Sequence, residues 1–453
     1  MSAGDLIVPL VDEGLGNSSY LIDLGDGRAL VIDPERDPAP YLRVAERRGL
    51  VLAYSAETHL HADFVSGSRE LATHGAQVLA AAAGHTAFEH RGLDDGEEVN
   101  LGGLTLRALS TPGHTPEHLS YLLLDGVAPV ALFSGGSLLV GSVARTDLID
   151  PGQTEQLARA LWRSLHERVL TLPDDLAVYP THGAGSFCSA PISGERATTI
   201  GAEKAANALL TAPDEDAFVK LLLDSLGTYP PYFSRLREVN RLGPSVFGPE
   251  QPKLAQLDAQ TVRQRLAAGA AVIDVRPISA FAEAHIPGAL SIELRDQFST
   301  WLGWLVDEQR PIIFVIDRDQ DRAEVVRQAH KVGYEHLLGE LSGGMAAWRA
   351  AGFESSQIAQ VPADEATGTI VDVRQAPEFA AGHIPRAVHV ELGSVKDAEL
   401  PRRDPLTVMC GHGERAMSAA SILKARGHQE LAVILGGPSD WASSSGRALE
   451  TGP

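Results

Sequence analysis

Apolar and polar residues follow two different rhythms along this chain. Before about residue 250, short apolar or alternating runs dominate: LIVPLV (6–11), SSYLIDL (18–24) and ALVID (29–33) predict strands. The stretch from Gly126 to Ala144 carries no charge, has Pro129 near its start and is interrupted by Ser134-Gly135-Gly136-Ser137. It predicts two buried strands around a turn rather than a membrane span. Thr198 to Asn240 predicts helix, with PDEDAF (213–218) as a start signal, and the Pro/Gly-rich segment Pro244 to Pro252 predicts a linker. Beyond it, the apolar strands AAVIDV, PIIFVI, GTIVDV and PLTVMC alternate with helical stretches such as Ala416 to Arg426, which ends at Gly427. Strands alternating with helices predict parallel α/β sheets.

The second region repeats itself. Ile273-Asp274-Val275-Arg276, Phe281 and His285-Ile286-Pro287 recur as Val371-Asp372-Val373-Arg374, Phe379 and His383-Ile384-Pro385, an offset (371 − 273) of 98 residues. Gly343-Gly344 and Trp348 recur as Gly436-Gly437 and Trp441, an offset (436 − 343) of 93. A period near this length suits tandem globular domains and is too long for a solenoid. The expected organisation is an α/β multidomain chain: residues 1–250, then 251–355, then 356–453.

Composition narrows the function. A length of 453 residues predicts two to four domains, and 44% apolar with 21% charged residues is a globular balance. A net charge of −21 argues against nucleic acid and anionic membrane as partners. Two cysteines, Cys188 and Cys410, allow at most one disulfide and exclude a four-cysteine zinc site. The start, MSAGDLIVPLVDEG, has no basic region followed by a long apolar core, so a cytoplasmic protein is expected.

Cys410 follows the strand PLTVM and begins the run Cys410-Gly411-His412-Gly413-Glu414-Arg415, with a helix expected from about Arg415. Backbone N–H groups of such a loop, with a helix N-terminus, form an anion nest that favours a thiolate and would hold a Cys–S–S⁻ adduct. Arg415 adds a fixed positive charge. Cys188, in THGAGSFCSA, has no comparable setting. The two repeats resemble rhodanese domains, by the DVR segment, the HIP turn and the Cys-loop-Arg. The resemblance implies a sulfurtransferase in which Cys410 takes sulfur from thiosulfate or a persulfide. The six-residue loop resembles the sulfurtransferases rather than the phosphatases that share the fold. Subtracting 93 from Cys410 and Arg415 gives Asp317 and Arg322, so the first repeat is expected to lack the nucleophile, with Asp317 in its place, and to be inactive.

The first region carries Thr58-His59-Leu60-His61-Ala62-Asp63-Phe64, Thr111-Pro112-Gly113-His114-Thr115 and Pro180-Thr181-His182-Gly183. Two histidines and an aspartate within five residues, after an apolar strand, suit zinc or iron. With NSSYLI, VIDP, FSGGSLL and RTD, these segments resemble the metallo-β-lactamase fold, in its glyoxalase II and persulfide dioxygenase branch. The resemblance implies an αββα sandwich over residues 5–245, followed by the two rhodanese-like domains.

Two positions depart from that family. Its H-x-H-x-D-H motif ends here in Phe64, and its acidic ligand after F-T/S-G is replaced by Gly136. A dinuclear hydrolase site of the glyoxalase II type is therefore not expected. A single Fe(II) or Zn(II) on His59, His61 and His114 remains as the candidate centre, with Asp63 and His182 as weaker ligands. By resemblance, Arg145 is a candidate contact for an anionic persulfide carrier. The expected partners are small sulfur compounds: thiosulfate, glutathione or coenzyme A persulfide, and sulfite. The resemblance is also compatible with a homo-oligomer. The alternative is a persulfide-binding or sensing scaffold in the N-terminal half.

Overall fold

The early strands assemble as their alternation requires. In this computed structural model, which describes residues 6–189, 194–248, 252–401 and 404–452, β1 (Ile7–Asp12), β2 (Asn17–Asp23), β3 (Arg28–Ile32), β4 (Val51–Ala56), β5 (Gln77–Ala81) and β6 (Arg91–Leu93) form one sheet in chain order. A second six-stranded sheet has the order β12-β11-β10-β9-β8-β7, from β7 (Glu98–Asn100), β8 (Leu104–Ser110), β9 (Leu119–Asp125), β10 (Ala128–Gly135), β11 (Ala177–Pro180) and β12 (Thr198–Thr199). Alternate residues face opposite sides of a strand. Tyr20 and Ile22 of β2 therefore meet Tyr121, Leu123 and Phe133 between the sheets, while Leu21 faces outward against Tyr41 and Val44 of the helix Ala39–Arg48. Leu122, Leu124 and Leu132 face outward on the other side, against Ala158, Leu161 and Leu165 of the helix Thr154–Glu167. The result is the expected αββα sandwich.

The uncharged stretch 126–144 forms one strand, not two. β10 ends at Gly135, and the following residues form a loop with isolated bridges at Leu139–Ser142 and Ala144–Ser189. Gly135 takes a positive φ, and the loop carries its polar groups inward instead of pairing a second strand. The region expected to be helical holds the helices Ile200–Ala206, Glu215–Asp224 and Phe233–Leu242, the second capped by Asp214 as its sequence predicts.

The chain divides into two compact units, residues 1–251 with 330–333, and 252–329 with 334–453. The expected boundary at residues 250 and 251 lies outside the described residues. The second unit contains two five-stranded parallel sheets of the same plan: one from β13 (Gln256–Leu257), β14 (Ala271–Asp274), β15 (Leu290–Ser291), β16 (Ile312–Val315) and β17 (Leu337–Leu341), in the order β13-β17-β16-β14-β15, and one from β18 (Ala359–Pro362), β19 (Thr369–Asp372), β20 (Val388–His389), β21 (Leu406–Met409) and β22 (Leu431–Leu435), in the order β18-β22-β21-β19-β20. Their central strands are β14 and β16, and β19 and β21. Each repeated motif has a structural task. Asp274 and Asp372 form buried ion pairs, at 2.6 Å, with Arg276 and Arg374, whose Nη2 atoms also donate to the carbonyls of Ala284 and Gly382. His285 and His383 stack on Phe281 and Phe379 with ring centroids 3.9 and 3.8 Å apart. No helix among the described residues is long and apolar enough to cross a membrane.

Candidate functional site

Two sites emerge, one in each unit. In the first unit the loops after the strands converge at one edge of the two sheets. His59, His61 and Asp63 follow β4, His114 and His118 lie between β8 and β9, Gly136 follows β10, and His182 follows β11. His59, His114 and His182 are 0–3% exposed, and they offer ligand atoms all within 4.8 Å of one another.

The hydrogen bonds assign the tautomer of each of these rings. Thr58 Oγ1 donates to Asp33 Oδ2 (2.7 Å), so it accepts from His59 Nδ1 (2.8 Å). The Arg145 carbonyl accepts from His114 Nδ1 (2.7 Å), and Asn17 Oδ1 accepts from His182 Nδ1 (3.0 Å). All three Nε2 atoms are then left with lone pairs. Those of His59 and His182 stand 3.4 Å apart with no proton to share. Two ligands on one tetrahedral ion at about 2.0–2.1 Å stand about 3.3 Å apart, so the set fits a single cation. Burial, and then the neighbouring imidazoles, hold His59 well below the ordinary histidine range. Burial and His182 hold His114 down at about 3. Neutral imidazole is the form that binds metal.

His61 is turned elsewhere. Its Nε2 stands 3.1 Å from Asp33 Oδ1 and 3.1 Å from Glu57 Oε2, and its ring stacks on Phe64 at 4.2 Å. Burial opposes a charge there, yet Asp33 and Glu57 outweigh it and raise His61 to about 10. Among the described residues no ligand group combines His61 with His114; the three-histidine set brought together contains His182 instead. Asp63 accepts from Asn17 Nδ2 (2.7 Å) and stands 3.4 Å from His182 Nδ1, so it backs His182 from behind. Among the described residues His61 also falls in two further groups of ligand atoms within 4.8 Å of one another, Asp33–His59–His61 and His61–Asp63–His182, so an ion there would have to displace its contacts with Asp33 and Glu57.

Arg145 is 4% exposed and already engaged: it pairs with Asp147 (2.6 and 2.8 Å), donates to the carbonyls of Phe187 and Gly227, and lies over the Tyr229 ring. Its contribution to the site is the carbonyl that orients His114. A Cβ on Gly136 would come within 2.5 Å of His114 Cδ2, so a carboxylate at 136 requires His114 to move. His118 and Asp33 were not singled out from sequence. His118 Nε2 accepts from Gly136 N (2.9 Å), and Asp33 ties Thr58 to Thr181, the residues preceding His59 and His182. The second histidine in TPGHTPEH and the VIDP segment were their only signals. Cys188 is buried, and burial pushes its thiol well above the usual range.

In the second unit Cys410 follows β21 and is 1% exposed. Gly413 N–H donates to Cys410 Sγ at 3.1 Å. Gly413 has φ +112° and opens the helix Glu414–Ala425, so a glycine turns both the amide and the helix N-terminus toward the sulfur. Gly411 is partly buried and His412 exposed at the mouth of the loop. Arg415 does not extend over the loop: its Nη1 and Nη2 donate to Glu378 Oε2 and Oε1 (2.7 and 2.8 Å). Burial opposes the Arg415 charge, but Glu378 outweighs it and raises Arg415 further. The first repeat braces this loop. Glu414 pairs with Arg295 (2.9 Å), Ser418 donates to the Ser291 carbonyl (2.6 Å), and Ile278 Cδ1 is 3.0 Å from a Cβ built on Gly413.

The corresponding loop of the first repeat departs from the residue arithmetic. Val373 N bonds to Met409 O, and Val275 N bonds to Val315 O. The residue after each strand is therefore Cys410 in one repeat and Ile316, not Asp317, in the other. A register shift between Ile312 and Ile313 in the β16–β17 pairing, with β17 at Leu337–Leu341, absorbs one residue, which is why the offset measured at Gly343 is one too small. Neither Ile316 nor Asp317 carries a thiol.

Comparison with known proteins follows the same division. The sequence model of the rhodanese-like domain matches residues 258–351 and 357–444. The mitochondrial persulfide dioxygenase ETHE1 of Homo sapiens is 32% identical over 209 residues, 45% of this chain and 75% of that protein. A hydroxyacylglutathione hydrolase of Methylococcus capsulatus is 35% identical over 185 residues, 39% of this chain and 65% of that protein. A solved metallo-β-lactamase structure from Staphylococcus aureus subsp. aureus COL is 29% identical with a TM-score of 0.65, covering 74% of this chain and 98% of that one.

Proposed function

The chain belongs to the family of the persulfide dioxygenase ETHE1, with two rhodanese-like domains following that part, and from this premise we propose that it carries sulfane sulfur on Cys410 as an enzyme of persulfide metabolism. The observation that carries the reading is the Gly413 amide donating to Cys410 Sγ at the start of a helix. The Cys410 thiolate attacks the outer sulfur of a persulfide R–S–S⁻ or of thiosulfate. The S–S bond of the donor breaks, and a thiolate or sulfite leaves with the electron pair. The new terminal sulfur, Cys–S–S⁻, remains within reach of the loop amides and helix N-terminus. A second thiol, or sulfite, attacks that sulfur and regenerates the Cys410 thiolate. Cys410→Ser abolishes thiosulfate:cyanide sulfur transfer; undiminished transfer overturns the assignment.

In the N-terminal part, His59, His114 and His182 would hold one divalent ion, with Thr58, the Arg145 carbonyl and Asn17 orienting the rings from behind. Three neutral imidazoles suit Zn(II) or Fe(II). Such an ion supplies a positive centre for an anionic persulfide sulfur. His182→Ala lowers the bound metal, measured by elemental analysis after zinc or iron supplementation, to below about a tenth of the wild-type content. Retention of wild-type content removes His182 from the set. A thioester hydrolase is not supported, because His61 is engaged by Asp33 and Glu57.

A further inference from the structure

We propose that Glu378 is a positioning residue that sets the donor preference of the Cys410 site, turning it from thiosulfate toward organic persulfides, whose reacting sulfur group carries one charge where thiosulfate carries two. This rests on the reading of Cys410 as the sulfur carrier. Both cations beside the loop are neutralised. Arg415 makes a two-pronged pair with Glu378, and Arg295 pairs with Glu414. A further carboxylate, Glu293, accepts from Ile278 N and lies close enough to Glu414 that burial, and then that charge, raise it above the usual carboxylate range. Arg415 and Arg295 are thus set against Glu378, Glu414 and Glu293, while Asp372 and Arg374, also near, pair with each other. What remains for an incoming donor is the partial positive charge of the amides and helix terminus, about half an elementary charge. That suffices for one sulfur anion, while the second charge of thiosulfate meets the unpaired carboxylate.

Arg415 is within range to serve a donor if released. Its Nη2 is 3.8 Å from a Cβ built on Gly411. The counterpart of Glu378 in the first repeat, at the 98-residue offset, is Ala280. The helix Ala376–Ala381 uses Glu378 as the third residue of its capping box, a place that glutamine fills equally well. Glu378→Gln therefore removes the charge and keeps the cap.

The test is the rate of sulfur loading on Cys410 of the full-length protein, read by intact mass without oxygen, with thiosulfate and with glutathione persulfide as donors. Glu378→Gln raises the thiosulfate-to-persulfide ratio of loading rates by about fivefold, through a lower apparent KM for thiosulfate at unchanged maximal rate. Glu378→Asp, which keeps the charge, stays near the wild-type ratio. An unchanged ratio in Glu378→Gln, or an equal fall with both donors, overturns the proposal. Absence of loading in the wild-type protein from either donor instead overturns the reading of Cys410 on which it rests.

Discussion

The two rhodanese-like loops of this chain both join a strand to a helix and both carry an arginine, but at the offset of 94 that pairs Cys410 with Ile316 (410 − 316) Arg415 falls on Asp321 and Arg322 comes one residue later; the two backbones point opposite groups inward. After Cys410 the loop turns an amide toward the sulfur, and Arg415 leaves the loop for Glu378. After Ile316 the arginine turns inward: Arg322 Nη1 donates to the carbonyls of Asp317 (2.9 Å), Arg318 (3.2 Å) and Gln320 (2.8 Å). Two differences in carboxylate placement accompany this. Ala280 stands where Glu378 would hold the arginine, and Glu340, whose register equivalent is Val433, meets Arg322 from the other side. Gln320 closes the loop, accepting from Asp317 N and donating to the Val275 carbonyl. A loop whose carbonyls surround a guanidinium offers nothing to an anion. The first repeat therefore differs from the second in its backbone as well as in its missing thiol.

The largest expected effect comes from trying to erase that difference. Ile316→Cys places a thiol after β16 but leaves the carbonyls facing it. In a Cys410→Ser background it restores no measurable thiosulfate:cyanide transfer; recovery of even a tenth of wild-type activity would show that the thiol alone separates the loops. Next, Gly413→Ala strains a left-handed residue and presses a methyl against Ile278. It lowers sulfur loading of Cys410 by about tenfold or more, with a stability loss of about 1 kcal/mol measured by denaturant unfolding.

A pH effect acts more gently on the first repeat. Burial holds His285 of the first repeat down at about 4. Because the folded value lies below the unfolded one, near 6.5, its neutral form is favoured by folding, and stability is lost as pH falls from about 6.5 toward 4. The loss is of order 2 kcal/mol, and His285→Gln flattens this part of the unfolding profile. Smallest of all, Arg295→Ala removes a partly exposed pair with Glu414 and lowers stability by less than about 1 kcal/mol.

Much of this was legible in the chain. The repeated DVR and HIP segments announce a buried ion pair and a stacked histidine, and a thiol between a strand and a helix announces its own setting. What was hidden depends on geometry that residue counting does not carry. A bulge beside β16 shifts the count by one and makes Ile316 look like Asp317. The destination of an arginine depends on a carboxylate 37 residues away, as in the Arg415–Glu378 pair. In the N-terminal site, the H-x-H spacing suggests that both imidazoles share an ion; the structure groups His59 with His61 and Asp33, and also with His114 and with His182, which enters from β11. Nothing in the local spacing distinguishes a ligand from a histidine held by buried carboxylates.

The most direct test is to incubate the full-length protein with glutathione persulfide, remove the excess and map the added sulfur by peptide mass spectrometry. One sulfur on the peptide containing Cys410, absent in Cys410→Ser and absent from the peptide containing Cys188, is the predicted result. Sulfur retained by the Cys410→Ser protein, or none on Cys410 in the wild type, contradicts it.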